Sequence, residues 1–531
     1  MRLLSILILF AFFGCTNNKE ANKKTEVSTV DNIEASDLND DYLEEARKIN
    51  HPSAIKPTTK YRKGHASPRE KIKEVNKKDN GYEVKLPGNY PIPTPAYYKN
   101  KLYVSGGFGS KTYYCFDAAS GKNIWAVNLD DDGPSTAVIE DDIVVFNTES
   151  CTLFALDANN GKMLWSWWLG DPLASSPTIH KGKVYTTYPA NAQGHLQFQG
   201  NAQQLNLQNF DIGQTNEPEV KKEDVNNKAK VAPSSHILGC FDLKTGKILW
   251  QKWVDGEAMS APVIEKDQVY ITTFPGTVYR FAAGDGKILA ASKARATSAP
   301  TIVGNQVLYS KRSDNGKGDP NGKVMECLSW NDSRFQLRQS VNSKVALYLS
   351  ADVQEESQLA KKQEALDAGN GFASAPAASG GLDANGNIGQ YRVSGLQSFQ
   401  GSRALFVKNR VFSTMGDELI CSDSKKVHWK LPIQGDLKKL GGFMATPPVA
   451  AGDELIIATI DGRVLRVNPD KGKVIKKYKT KATIRFQPTV VDGRIFIGTQ
   501  EGKLITINTN DLSLTGWPMW GKDCQRSGKV E

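Results

Sequence analysis

Apolar and polar positions alternate in short runs along most of this chain. Leu102-Tyr103-Val104 and Ile495-Phe496-Ile497 are typical. Such runs, bounded by turn residues, predict short antiparallel strands. A small residue or proline opens a β-branched run at Pro95, Thr136, Pro177, Pro262, Pro300, Ala404, Pro447 and Pro488. Six of these eight openers are proline, which suits a first strand residue because no ladder donor is needed there. Most steps are 38 to 43 residues, but Pro177 to Pro262 is 85 and Pro300 to Ala404 is 104. Each long step reads as one unit plus an insertion, so eight openers predict eight units.

A motif recurs with the same period. Residues 115–125 read C-F-D-A-A-S-G-K-N-I-W, 155–165 read A-L-D-A-N-N-G-K-M-L-W, and 240–250 read C-F-D-L-K-T-G-K-I-L-W. The anchors are Asp117, Gly121 and Trp125, then Asp157, Gly161 and Trp165, then Asp242, Gly246 and Trp250. Aspartate with glycine four residues on predicts a tight hairpin, the side chain bonding the turn and glycine taking positive φ. The tryptophan fills the gap to the next unit, its indole N–H reaching a carbonyl there. Degenerate copies continue the series: Ala282 with Gly286, Ser329 at the aspartate place of the fifth, Asp423 with Trp429 in a shortened sixth, Asn468 with Gly472, and Asn508. Ala290 and Lys476 stand where tryptophan is lost. A period of about 40–45 residues with strand-like sequence predicts an all-β fold, an eight-bladed β-propeller of four-stranded antiparallel blades.

Closure is also legible. After the eighth copy comes W-P-M-W-G-K-D-C, where Pro518 interrupts any strand. Tyr82–Leu86 has the missing outer-strand pattern and is expected to complete the eighth blade, removing exposed edges.

At 531 residues, length alone would allow three or four domains. The repeat predicts one ring over residues 81–524, with 525–531 a short tail; 10 Trp, 17 Tyr and 20 Phe supply ample core. Residues 1–15 form a targeting segment: Arg2, then the apolar run Leu3–Phe13, too short to span a bilayer. Its end, Gly14-Cys15, resembles a bacterial lipobox, departing from it at Phe12 and Phe13. That resemblance implies lipidation of Cys15, and Thr16, in place of the aspartate that retains enteric lipoproteins, implies outer-membrane sorting. An ordinary signal peptide cleaved elsewhere is the alternative. Residues 16–80 are charged and poor in large apolar residues, which predicts a disordered tether. Thr16 to Glu45 carries three Lys against nine acids, and Ala46 to Asn80 eleven Lys or Arg against three acids. Most of the +10 net charge therefore lies beside the ring, and no nucleic-acid partner is expected.

Cys115, Cys240, Cys327 and Cys421 precede the aspartate place by two residues and are expected to act as small buried residues. Cys151 and Cys524 either pair or stay free. Residues 189–235, rich in Gln and Asn, and residues about 312–398 are expected insertions. The second contains a helix signal over 352–369, capped by Asp352 and ended by Gly369. It reads as a partner-binding element or as a lid on the ring. Trp167, Trp168 and Trp253 raise a further alternative, a periplasmic glycan- or peptide-binding module.

The A/C-x-D-x-x-x-G-K-x-x-W repeat resembles the tryptophan-docking motif of the pyrroloquinoline-quinone-type (PQQ-type) propeller family, over about residues 81 to 524. That family has an enzymatic branch of quinoprotein dehydrogenases and a non-catalytic branch of BamB-like lipoproteins that serve β-barrel assembly. The enzymatic branch implies a quinone stacked on adjacent cysteines, a calcium ion with oxygen ligands and an aspartate base. This chain has no Cys-Cys pair, and its six histidines are scattered. The expectation is therefore no enzyme, no cofactor and no metal. The chain is read as a monomeric, lipid-anchored scaffold facing the periplasm at the outer membrane. Its partners there are proteins, with barrel-assembly machinery as the BamB-like case. A PQQ-dependent dehydrogenase is the alternative.

Overall fold

The computed structural model describes residues 40–50, 63–148, 151–169, 176–189, 236–312 apart from 257, 259, 274, 275, 295 and 297, 323–348, 404–435 apart from 416, and 444–530. The expected signal segment with Cys15, the expected 189–235 insertion after Pro189 and the expected 352–369 helix lie outside them. Eight sheets form the ring, each built on four antiparallel strands that run outward from the axis in chain order, except that the outer strand of the eighth comes from the N-terminal side. Blades 1 to 8 open at Ala96, Val138, Thr178, Val263, Thr301, Ala404, Val449 and Thr489, at or just after the openers read from the sequence.

The eighth blade closes as expected. Gly81–Lys85 pairs antiparallel with Lys503–Asn508, Tyr82 opposite Thr506. That pairing puts Tyr82 in the slot tryptophan holds elsewhere. The ring is therefore fastened by its two ends, with no open edge at the join.

The segment expected to be a disordered tether is partly built into the fold. The helix α1 (Asp40–Ile49) buries Ala46 among Tyr279, Phe281 and Ala291 of blade 4. Asn50 accepts from the Trp253 amide (2.8 Å) and donates to its carbonyl (3.1 Å), clipping the helix to blade 3. Farther along, Ser166 of blade 2 donates to Gly64 O. Ala66–Pro68 then pairs with Asn123–Leu129 as a fifth strand of blade 1, and Asn76–Lys78 adds a fifth strand to blade 8. Composition missed this belt because its hold is mainly backbone pairing, which needs few large apolar side chains. Among the described residues no helix is long and apolar enough to cross a membrane.

The second insertion is corrected too. Lys323–Asn331 and Leu337–Tyr348 are the third and fourth strands of blade 5. The inserted residues therefore fall into two pieces, 313–322 and 349–403. The fifth turn is built on Asp332, not Ser329: Asp332 N–H donates to Gln336 O, as Asp117 N–H does to Lys122 O. Trp330, not Cys327, is the residue two before it.

Candidate functional site

The predicted anchors form the seams between blades. Trp125 Nε1 donates to Ala158 O of blade 2, Trp165 to Leu243 O of blade 3, Trp250 to Ala283 O of blade 4, and Trp429 to Pro469 O of blade 7. Tyr82 OH donates to Ala118 O of blade 1 in the same way. Each acceptor follows the turn residue Asp157, Asp242, Ala282, Asn468 or Asp117. The turn glycine lies flat against the incoming ring. A Cβ on Gly161 would stand 2.8 Å from Trp125, and one on Gly246 would stand 2.7 Å from Trp165. Gly121 faces Tyr82 likewise, so glycine answers both to positive φ and to close approach. Asp242 accepts from the Thr245 hydroxyl (2.7 Å) and amide (2.8 Å), which hold its carboxyl below the usual range. Asp423 accepts from the Lys425 and Lys426 amides in its shorter turn. These recurrent acids are turn residues, as read from the sequence.

The cysteines also take structural places. Burial pushes the Cys115 and Cys240 thiols up to about 12 and Cys421 to about 11, which leaves little thiolate at neutral pH. Cys151 and Cys524 are not bonded to each other; the Cys524 thiol donates to Ile139 O. Trp253 is buried, and half-buried Trp167 donates to Gly246 O at 2.8 Å, so neither is an open stacking platform.

The axis is where sequence reasoning fell short. Residues 525–530 are not a loose tail. From Trp517 onward the chain runs around the inside of the ring, bonding the innermost strands in turn. Val490 N–H donates to Trp517 O, Tyr97 to Pro518 O, Ile179 to Cys524 O, Ile264 to Gln525 O and Phe406 to Gly528 O. Lys529–Val530 then pairs parallel with the innermost strand of blade 6. Trp517 and Trp520 are buried, and Arg526 is 3% exposed. Its guanidinium lies over the Trp520 ring, 4.5 Å from the centroid. Burial pulls its pKa down to about 10. Ser260, Gln487, Trp517, Trp520 and Arg526 border a small axial cavity, about 20 Å³, room for roughly one water. The available signal was the density of tryptophan beyond the last repeat, with no blade left to receive it.

The two faces of the ring differ. One carries the Asp–Gly hairpins. The other carries the turns between second and third strands and the links between blades. There, Asp131 accepts from the Thr152 hydroxyl (2.7 Å) and from Thr148, and Asp255 accepts from the Thr273 hydroxyl (2.7 Å) and from Thr277. Each carboxylate staples a link to the next blade's turn. By strand order, 190–235, 313–322 and 349–403 all join the ring on this face. Among the described residues no three His, Cys, Asp or Glu stand close enough to share a metal ion.

A family model described as outer membrane protein assembly factor BamB matches residues 92–209, 226–324 and 380–511. No curated protein sequence matches. Among solved structures, BamB from Moraxella catarrhalis is similar at 13% identity, covering 82% of this chain and 100% of that one, with a TM-score of 0.47. Sqt1 of Saccharomyces cerevisiae is similar at 9% identity, covering 82% and 100%, with a TM-score of 0.50. A quinohemoprotein alcohol dehydrogenase from Comamonas testosteroni is similar at 12% identity, covering 80% and 76%, with a TM-score of 0.49. At such identities the likeness concerns the fold alone. The described axis does not fit a stacked quinone with calcium. Trp517, Trp520 and Arg526 fill it, and among the described residues no carboxylate lines its cavity to hold calcium.

Proposed function

The chain belongs to the family of outer membrane protein assembly factor BamB, and from that premise we propose that it is a non-catalytic, lipid-anchored scaffold. It sits at the outer membrane with its ring in the periplasm, and it binds protein partners in the assembly of β-barrel membrane proteins. The observation that carries the non-catalytic part is the filled axis. A propeller's central channel is the concavity the fold offers a planar cofactor, and here Trp517, Trp520 and Arg526 occupy it. The anchors read from the sequence are spent on seams and turns. The surface left for partners is the face that receives all three insertions, since loops on a rigid scaffold are where binding is carried.

The test is recovery of the full-length lipoprotein from membranes in mild detergent. Barrel-assembly components are expected to co-purify, and replacing Cys15 with Ser is expected to release the protein from membranes. A glycan-processing complex in their place would overturn the reading. So would stoichiometric quinone binding with dye reduction on alcohols or aldoses.

A further inference from the structure

Arg526 presents an unusual charge balance. Its side chain is enclosed at the centre of the ring, yet its hydrogen-bond and ring partners among the described residues are all neutral. One terminal nitrogen donates to Trp520 O and the other to Pro177 O at 3.3 Å. The Trp520 ring covers one face of the guanidinium. Its Nε has no partner among the described residues. The carboxylate nearest in sequence, Asp523, is taken up by its own turn. It accepts from Gln525 N (3.1 Å), Ser527 N (3.0 Å) and the Ser527 hydroxyl. Glu265 is matched by Lys529 at 3.0 Å.

A guanidinium stays charged at neutral pH, and an enclosed charge with no ion pair among the described residues, only Asp523 acting on it through space, is disfavoured. The axial cavity borders this same side chain. Water there would satisfy the Nε hydrogen but leave the charge unmatched. The cavity, with room for about one water, suits a monatomic ion.

We propose that the axial cavity beside Arg526 binds a halide-sized anion, chloride in physiological media, held by the Arg526 guanidinium. The ion then locks the C-terminal segment in the ring. This proposal is independent of the partner-binding role.

The probe is bromide, which replaces chloride and scatters anomalously. Crystals of the full chain grown in sodium bromide are expected to show a bromide within hydrogen-bonding reach of Arg526 Nε. In solution, at constant ionic strength, replacing gluconate with chloride is expected to raise Tm by about 2 °C per tenfold increase above saturation. Arg526→Gln, which keeps the polar shape without the charge, is expected to lose this dependence. If that variant does not fold, the bromide site in the unaltered protein still decides the matter. Absence of bromide at Arg526 overturns the proposal whatever the melting curves do, as does undiminished chloride dependence in Arg526→Gln.

Discussion

Five seams of the ring are sealed alike, and three are not. Between blades 8 and 1, 1 and 2, 2 and 3, 3 and 4, and 6 and 7, a ring from one blade bonds the next blade's turn. At the seam between blades 4 and 5 the large residue has changed sides. Ala290 stands in the tryptophan slot, and Phe335 takes the glycine place of the Asp332 turn, at φ 64°. Both lie in one buried cluster. Between blades 7 and 8, Lys476 holds the slot. There Arg466 bridges to Glu454 and to Asp511 of blade 8, each at 2.7 Å. Between blades 5 and 6, Gln339 holds the register position opposite Trp330 in the ladder. Among the described residues, the cluster at that seam holds Leu308, Leu328, Trp330, Ala404 and Val411. The difference teaches that a seam needs filled volume and satisfied polar groups, not a particular residue. Where the filling is thin, the C-terminal segment spans the gap. It bonds blade 4 through Ile264 and Glu265, and blade 6 through Phe406.

The strongest way to break the comparison is to delete residues 516–530. The loss is expected to be on the order of 5 kcal/mol or more, given two buried tryptophans. Hydrogen exchange should then quicken first at the amides of Leu308 and Phe406. Uniform quickening around the ring would refute the strap.

Next in size, Trp165→Ala is expected to cost about 3–5 kcal/mol by urea unfolding. Lys476→Ala, in the corresponding slot of blade 7, should stay within about 0.5 kcal/mol. Similar losses at both positions would erase the distinction.

A swap sharpens it further. Phe335→Gly should cost about 3 kcal/mol by emptying the seam, and Ala290→Trp alone about 1–3 kcal/mol by overpacking it. The double variant should recover more than half of the summed loss, which a double-mutant cycle reads directly. Additive losses would mean the two residues do not share one space.

Acid is a graded probe, and it acts on the tryptophan-sealed side. Burial of His236 in blade 3 lowers its pKa to about 3. The unfolded chain therefore binds the extra proton below about 6.5. The contribution is fully present above that pH and falls by about 1.4 kcal/mol per unit as pH drops toward 3. His236→Gln should remove that part of the slope in melts between pH 4 and 7.

Much of this architecture could be read from the chain, because a repeated interaction leaves a repeated residue. Alternation within strands, prolines at strand openings and the Asp–Gly–Trp spacing each reflect a local demand met again in every blade. They determined the blade count, the seam residues and the closing strand with Tyr82. The fifth turn was misplaced by three residues because its glycine had become Phe335, and only the backbone pairing at Asp332 reveals the register. The belt over residues 40–50 and 63–78 was invisible because it is held by backbone pairing and by a few small or polar side chains, Ala46 and Asn50 among them. Tertiary structure alone decided the axis. The segment from Trp517 onward, outside the repeat, reaches six different blades and brings Trp517, Trp520 and Arg526 to the axis. A contact made once, between residues distant in sequence, has no period to betray it.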